Sequence, residues 1–198
     1  MYITETRLDN LIRLSVVDIN MALKNSTESW GRLSKLFHWL TAALIFIQIP
    51  LGFYAKSLGL SPLKIDVFVW HKSVGMLVLL LVVARLLWRI KNSIPAPLTS
   101  NRLHLMLASG VHGMLYVLML ALPLSGWLTA SASMFPTKLF WLIPLPALVS
   151  PDSATKTLAA DIHSACVYIT IAVLLLHISA ALWHHFVARD SALKRMWF

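Results

Sequence analysis

Acidic side chains and cysteine are scarce in this sequence, and long polar stretches are confined to its ends and loops. Of 198 residues only 8 are Asp or Glu, and charged residues of both signs make up 13% against 58% hydrophobic. That balance excludes a soluble globular domain and describes an integral membrane protein. A single cysteine, Cys166, excludes an internal disulfide, a covalent CxxCH haem attachment and a four-thiolate iron-sulfur cluster, so any metal is held mainly by histidine. The first 35 residues lack a short apolar core followed by a small-residue cleavage site, so the expectation is that the first span acts as its own targeting signal. Carboxylates are missing from the spans as well. Asp161 alone lies clearly inside one, which speaks against a histidine-lined metal-ion transporter, because an ion path favours acidic ligands.

What the chain does have is four apolar runs, at about 36–55, 67–88, 103–130 and 158–187. Each is long enough to cross roughly 30 Å of hydrocarbon. The reading is all-α: an integral membrane four-helix bundle over 30–198, preceded by an N-terminal extension over 1–29 that is interfacial or without order. Pro123 is expected to kink the third span, where neighbouring helices satisfy the freed carbonyl. Residues 131–157 hold too many prolines for a fifth span and read as a long loop on the bilayer interface, anchored by Trp141. Four spans put both termini on one side. That side takes Arg7, Arg13, Lys24, Arg32, Lys35, Arg85, Arg89, Lys91, Arg102, Arg189, Lys194 and Arg195, leaving Lys56, Lys64, Lys72, Lys138 and Lys156 opposite. The termini are therefore expected to be cytoplasmic, and the net charge of +9 reflects topology and no nucleic-acid binding.

Six of the eight histidines lie inside or at the ends of the spans, where an imidazole must pair, bind a metal or line a wet cavity. His163 and His177 share the last span. Fourteen helical steps return the second ring to within about 40° of the first and carry it about 21 Å along the axis. Both face one side of the helix at two depths. Topology then matches His71 with His163 toward the outer face and His38 with His177 toward the cytoplasm. Neutral imidazole gives iron a nitrogen lone pair without adding charge to hydrocarbon, so two layers of paired histidines suit two haems. His112 also enters from the cytoplasmic side and competes with His38 for the inner layer; the reading favours His38. His104 belongs at the headgroups.

Arg85 follows His71 by the same fourteen residues, which puts its guanidinium near the inner layer. A haem propionate is one partner for it there, and snorkelling toward water is the other account. Gly75, one turn after His71, either lets a porphyrin approach the backbone or permits close helix packing, the second being favoured. His184 lies seven residues beyond His177, about 20° away around the helix, and His185 points off that stripe.

The segments KLFHWL, WHKSVG, VARLLWR, HGMLYVLMLALPLSGW, IHSA, LHISAALWHHF and RDSALKRM, in this order and spacing, resemble the bacterial cytochrome b561 family over about residues 30–198. The resemblance implies two non-covalent b haems in the inner membrane, the outer ligated by His71 and His163 and the inner by His38 and His177. It also implies a quinone-linked electron carrier. The activity it suggests is oxidation of superoxide to dioxygen with electrons passed to ubiquinone, which would make the chain a superoxide:quinone oxidoreductase. On that reading Lys72 and Lys138 steer the anionic radical inward, and His184, Trp183 and Arg85 are candidates for the quinone contact. The alternative is a quinone-linked membrane partner of a separate dehydrogenase. Homodimerisation and a redox partner protein are both compatible with the sequence.

Overall fold

A computed structural model describes residues 23–134 and 137–198. All four apolar runs are helices: α1 over Arg32–Ser57, α2 over Pro62–Ile90, α3 over Arg102–Ser131 and α4 over Ser153–Trp183. Each is long and apolar enough to cross a membrane. Three begin on side-chain caps that take up backbone N–H groups left without a helical partner. Ser61 accepts from Lys64 N with Pro62 at the first helical position, Asn101 accepts from Leu103 N and His104 N, and Asp152 accepts from Thr155 N. These polar caps let α2 and α4 begin ahead of the expected 67 and 158, in the headgroup layer. α4 ends its regular bonding at Trp183, short of the expected 187, and passes into a π-helical turn over His184–Ala188 closed by Arg189 in the left-handed region.

The helices pack in sequence, α1 on α2, α2 on α3 and α3 on α4. Ile45, Val78, Val82, Leu115 and Met119 form the core between the first three, and Val173 and Leu174 reach it from α4. Most other large apolar side chains face outward, as a hydrocarbon solvent permits. Hydroxyls at the interfaces bond back into their own helices: Thr41 Oγ1 donates to Phe37 O at 2.6 Å and Ser125 Oγ to Ala121 O at 2.7 Å. These two hydroxyls are satisfied within their own helices, whereas Thr170 Oγ1 on α4 is buried without a hydrogen-bond partner among the described residues.

One end of the bundle gathers the start of α1, the α2–α3 loop and the C-terminal tail. Lys35 Nζ donates to Trp197 O at 2.6 Å, Trp39 Nε1 to Met196 O at 2.8 Å, and Arg195 Nη1 to Ala96 O at 2.8 Å. The expected extension over 1–29 falls outside the described residues as far as residue 22. Its last part is bound to this end, with Asn25 Nδ2 donating to Ser93 O and Ala96 N to Thr27 O, both at 2.8 Å.

At the opposite end the expected plain loop over 131–157 contains a small antiparallel hairpin, β1 at Lys138–Leu139 against β2 at Ile143–Pro144. Its turn puts Phe140 (φ 49) and Trp141 (φ 62) in the left-handed region without a glycine, a conformation that bulky residues adopt only when their surroundings hold them there. The surroundings are on α2: Phe140 N donates to Ser73 Oγ at 2.7 Å, and both Phe140 and Trp141 meet Trp70 edge-on at 5.6 Å. Trp141, expected at the bilayer interface, is packed on the protein on one side and 43% exposed on the other.

Candidate functional site

Near the hairpin end, His71 of α2 faces His163 of α4 with ring centroids 6.3 Å apart and planes at 83°. His163 is oriented from α3. Its Nδ1 is 2.9 Å from Leu122 O and 3.1 Å from Ser125 Oγ, so the proton sits on Nδ1 and the Nε2 lone pair is free. Two glycines clear the space around the pair. A Cβ on Gly52 would come 2.9 Å from His71 Cε1, and one on Gly126 would come 3.3 Å from His163 Cε1. Gly75 does different work: a Cβ there would meet Gln48 Nε2 at 3.2 Å, so this glycine serves the packing of α1 on α2. Gln48 Nε2 in turn donates to His71 O at 2.7 Å.

Toward the tail end, His38 of α1 faces His177 of α4, again with centroids 6.3 Å apart, at 66°. His112 of α3 lies closer to His177, at 5.4 Å, and is exposed. Arg85 Nη2 donates to His38 Nδ1 at 3.2 Å, and its guanidinium lies 5.3 Å from the Tyr116 ring centre. The fourteen-residue spacing from His71 to Arg85 thus brings the cation to the inner layer, beside the histidine expected there.

Two imidazoles on opposite sides of one metal, each at a bond length of about 2 Å plus the distance from nitrogen to ring centre, have centroids roughly 6 Å apart. Both pairs meet that spacing. The His112–His177 separation is too short for it. Among the described residues no three His, Cys, Asp or Glu side chains converge as a metal cluster. Two facing imidazoles with nothing else suit a metal whose equatorial ligands come from a macrocycle, which is the donor set a haem leaves open. The residues present therefore fit the group.

The other expected residues lie around these layers. Lys72 follows His71 on α2 and is half-buried; Lys138 is exposed on β1. Trp183 is 50% exposed, and His104 is exposed at the start of α3. His184 Nδ1 is 2.5 Å from Asp190 Oδ2, a partner that sequence reasoning missed although Asp190 is the only acidic residue of the tail. Burial raises the Asp190 carboxyl, but the backbone N–H of Ala192 and the His184 side chain outweigh this and hold it below the usual carboxylate range. Sequence reasoning also missed Gly52, Gly126 and Ser125, whose roles appear only when the helices are brought together.

A model of the prokaryotic cytochrome b561 family matches residues 29–198. The chain is 30% identical over 184 residues to cytochrome b561 homolog 2 of Escherichia coli (strain K12), covering 89% of this chain and 95% of that protein. It is 30% identical over 166 residues to cytochrome b561 homolog 1 of the same organism, covering 80% and 91%. The chain therefore belongs to the prokaryotic cytochrome b561 family, and is a multi-pass bacterial membrane cytochrome that binds haem b and takes part in electron transfer.

Proposed function

We propose that the chain carries two b haems in the inner membrane, one between His71 and His163 and one between His38 and His177, and moves electrons across the bilayer. The observation that carries this reading is the repeated 6.3 Å ring separation at two depths of one helix. When bound, the irons supply one-electron redox chemistry; the protein holds, insulates and tunes them. Leu122 and Ser125 hold the His163 ring in the tautomer that offers Nε2. Arg85 always donates, so its bond to His38 uses a bare Nδ1, whereas an imidazole bound through Nε2 carries its proton there. Were a haem held by His38, Arg85 would be the residue placed to donate to a propionate, the anion such a group would bring.

The donor in this reading is superoxide and the acceptor ubiquinone. Two superoxide ions and two protons convert one quinone to quinol and leave two molecules of dioxygen. Lys72 and Lys138, on the face opposite the tail, raise the local concentration of the anionic radical. The quinone meets the protein at the cytoplasmic end, where the tail and the α4 turn carry His184 and Trp183. A second reading, a membrane partner for a separate dehydrogenase, is favoured by one feature: Trp70 and Trp141 form an aromatic ledge, 48% and 43% exposed, beside His71. Such a ledge suits a protein donor.

Reduced-minus-oxidised spectra with pyridine haemochrome quantitation test the cofactor content. Two haems in the native protein, and one after alanine replacement of any of the four histidines, are the expected result; a single haem, or none, overturns it. Stopped-flow mixing with superoxide and a soluble quinone separates the two readings of the donor. Rapid haem reduction by superoxide alone supports the first, and reduction only with a co-purifying subunit supports the second.

A further inference from the structure

Among the described residues, the buried side-chain polar atoms without a hydrogen-bond partner are Gln48 Oε1, His71 Nδ1, Thr170 Oγ1 and Arg195 Nε. Buried polar atoms are rarely left so, because each has given up water and gained no bond in return. Two of these atoms belong to one contact. Gln48 Nε2 donates to His71 O at 2.7 Å across the α1–α2 interface, so the orphaned oxygen and the orphaned ring nitrogen sit on residues that already touch. Gln48 is 8% exposed and is the only carboxamide in α1. Such a side chain inside an apolar span needs a reason to be there.

The amide cannot be turned round. With Oε1 toward His71 O two carbonyl oxygens would meet, so Nε2 is held on the backbone and Oε1 is left to accept. Gly75 makes room for that arrangement, since a Cβ there would come 3.2 Å from Nε2. The His71 ring faces the same stretch of α1. A Cβ on Gly52, one turn beyond Gln48, would lie 2.9 Å from His71 Cε1 and 3.4 Å from Nδ1. Residues 48 and 52 thus turn one helix face to His71, the first with an acceptor and the second with clearance. His163 and His38 each have Nδ1 engaged, by Leu122 O with Ser125 Oγ and by Arg85. His71 Nδ1 stands without such a contact.

We propose that Gln48 is the positioning residue of His71, its Oε1 accepting the Nδ1 proton so that the Nε2 lone pair is the one the ring offers. This role rests on the reading of His71 and His163 as haem ligands, and deepens it. An imidazole that gives Nε2 to a metal carries its proton on Nδ1, and a buried proton there needs an acceptor. Thr170 lies on α4, whereas the Gln48 amide is already bonded to residue 71. Rotation of the ring about Cβ–Cγ closes the bond, because the amide is pinned at Nε2 and the ring is not; Gly52 leaves space for that rotation. Accepting the proton fixes the ring plane and makes Nε2 more basic, which favours the higher oxidation state of a bound metal.

Two substitutions test this role. Gln48→Met roughly keeps the volume and removes both polar atoms, while Gln48→Glu keeps an acceptor whether or not its carboxyl is ionised. Potentiometric titration of the detergent-purified holoprotein, with the outer step assigned from the His38→Ala variant, and EPR of the ferric protein give readouts independent of turnover. In Gln48→Met the outer haem's reduction equilibrium should shift toward the reduced form by about tenfold, which is about 59 mV for one electron. The inner step should not move, and the outer low-spin signal should change. Gln48→Glu should hold the outer step at or below its native potential. A native outer step in Gln48→Met, an equal shift of both steps, or a Glu variant that behaves like the Met variant overturns the proposal. If Gln48→Met loses the outer haem, two haems in Gln48→Glu support the positioning role, and loss from both variants overturns it in favour of packing alone. A native protein with no haem that depends on His71 overturns the ligand reading itself, whatever Gln48 does.

Discussion

A methyl group on Gly52 would sit 2.9 Å from Cε1 of His71, closer than a carbon contact allows. The two residues belong to different helices, so the space for the His71 ring is made by α1. Gly52→Leu is therefore expected to displace His71 and remove the outer haem while the inner one stays. Haemochrome quantitation should fall from two haems to one. Gly75→Ala, whose new methyl meets only the end of Gln48, should leave both in place.

His38 and His112 compete for His177, and their distances separate them. The 6.3 Å pair leaves room for an iron between two nitrogens; the 5.4 Å pair does not. His112→Ala should keep two haems with unaltered absorption bands, and His38→Ala should keep one. The reverse pattern would assign the inner ligand to α3.

Asp190 makes the tail sensitive to acid. Its carboxyl is held below the usual range in the folded protein, by Ala192 N–H and His184 against the opposing effect of burial. A group with a depressed folded pKa stabilises the fold fully above its unfolded value, near 3.9, and loses that contribution as pH falls through the folded value. Detachment of the tail, read from tryptophan emission of the 183–198 region, should thus begin below about pH 4 in the native protein. Asp190→Asn should show a weaker hold at neutral pH and little further change on acidification.

Ser73 ties the strained hairpin to α2. Its hydroxyl is fully buried, donates to Val69 O and accepts from Phe140 N. Ser73→Ala leaves that N–H without an acceptor, a loss of about 1 kcal/mol or more. Hydrogen exchange at the Phe140 amide should speed up by about fivefold, with the four helices as protected as before.

Charge at the hairpin end should set an encounter rate. With Lys72 and Lys138 both changed to Gln, superoxide consumption is expected to slow by about threefold at low ionic strength and to approach the native rate as salt screens the field. A ratio that does not change with salt would remove the steering role.

Much of this arrangement is legible in the residues alone. A run of apolar side chains long enough for a bilayer has few alternatives to a helix, since each backbone N–H must find a carbonyl within the segment. Fourteen residues between His163 and His177 fix two depths on one face through helix geometry, which needs no partner to be known. Arg85 was placed by the same arithmetic, and the structure sets it 3.2 Å from His38. Local order and periodicity determined the spans, the layers and the pairing of levels.

Tertiary structure decided what those layers touch. Gly52 clears His71 and Gly126 clears His163 across helix interfaces, and only the packing of one helix on another distinguishes them from Gly75. Phe140 reaches Ser73 over 67 residues of chain, and Trp39 reaches Met196 over 157. Residues 131–157 read as a loop because prolines break long helices; the hairpin at 138–144 within them depends on an α2 surface that the loop's own composition does not describe. Asp190 and His184, six residues apart, come together only because α4 changes to a π-helical turn before the chain reverses. Spacing along one helix is a local property and can be read from order alone. Clearance and anchoring are sums over contacts between distant segments, and they exist only once the bundle has closed.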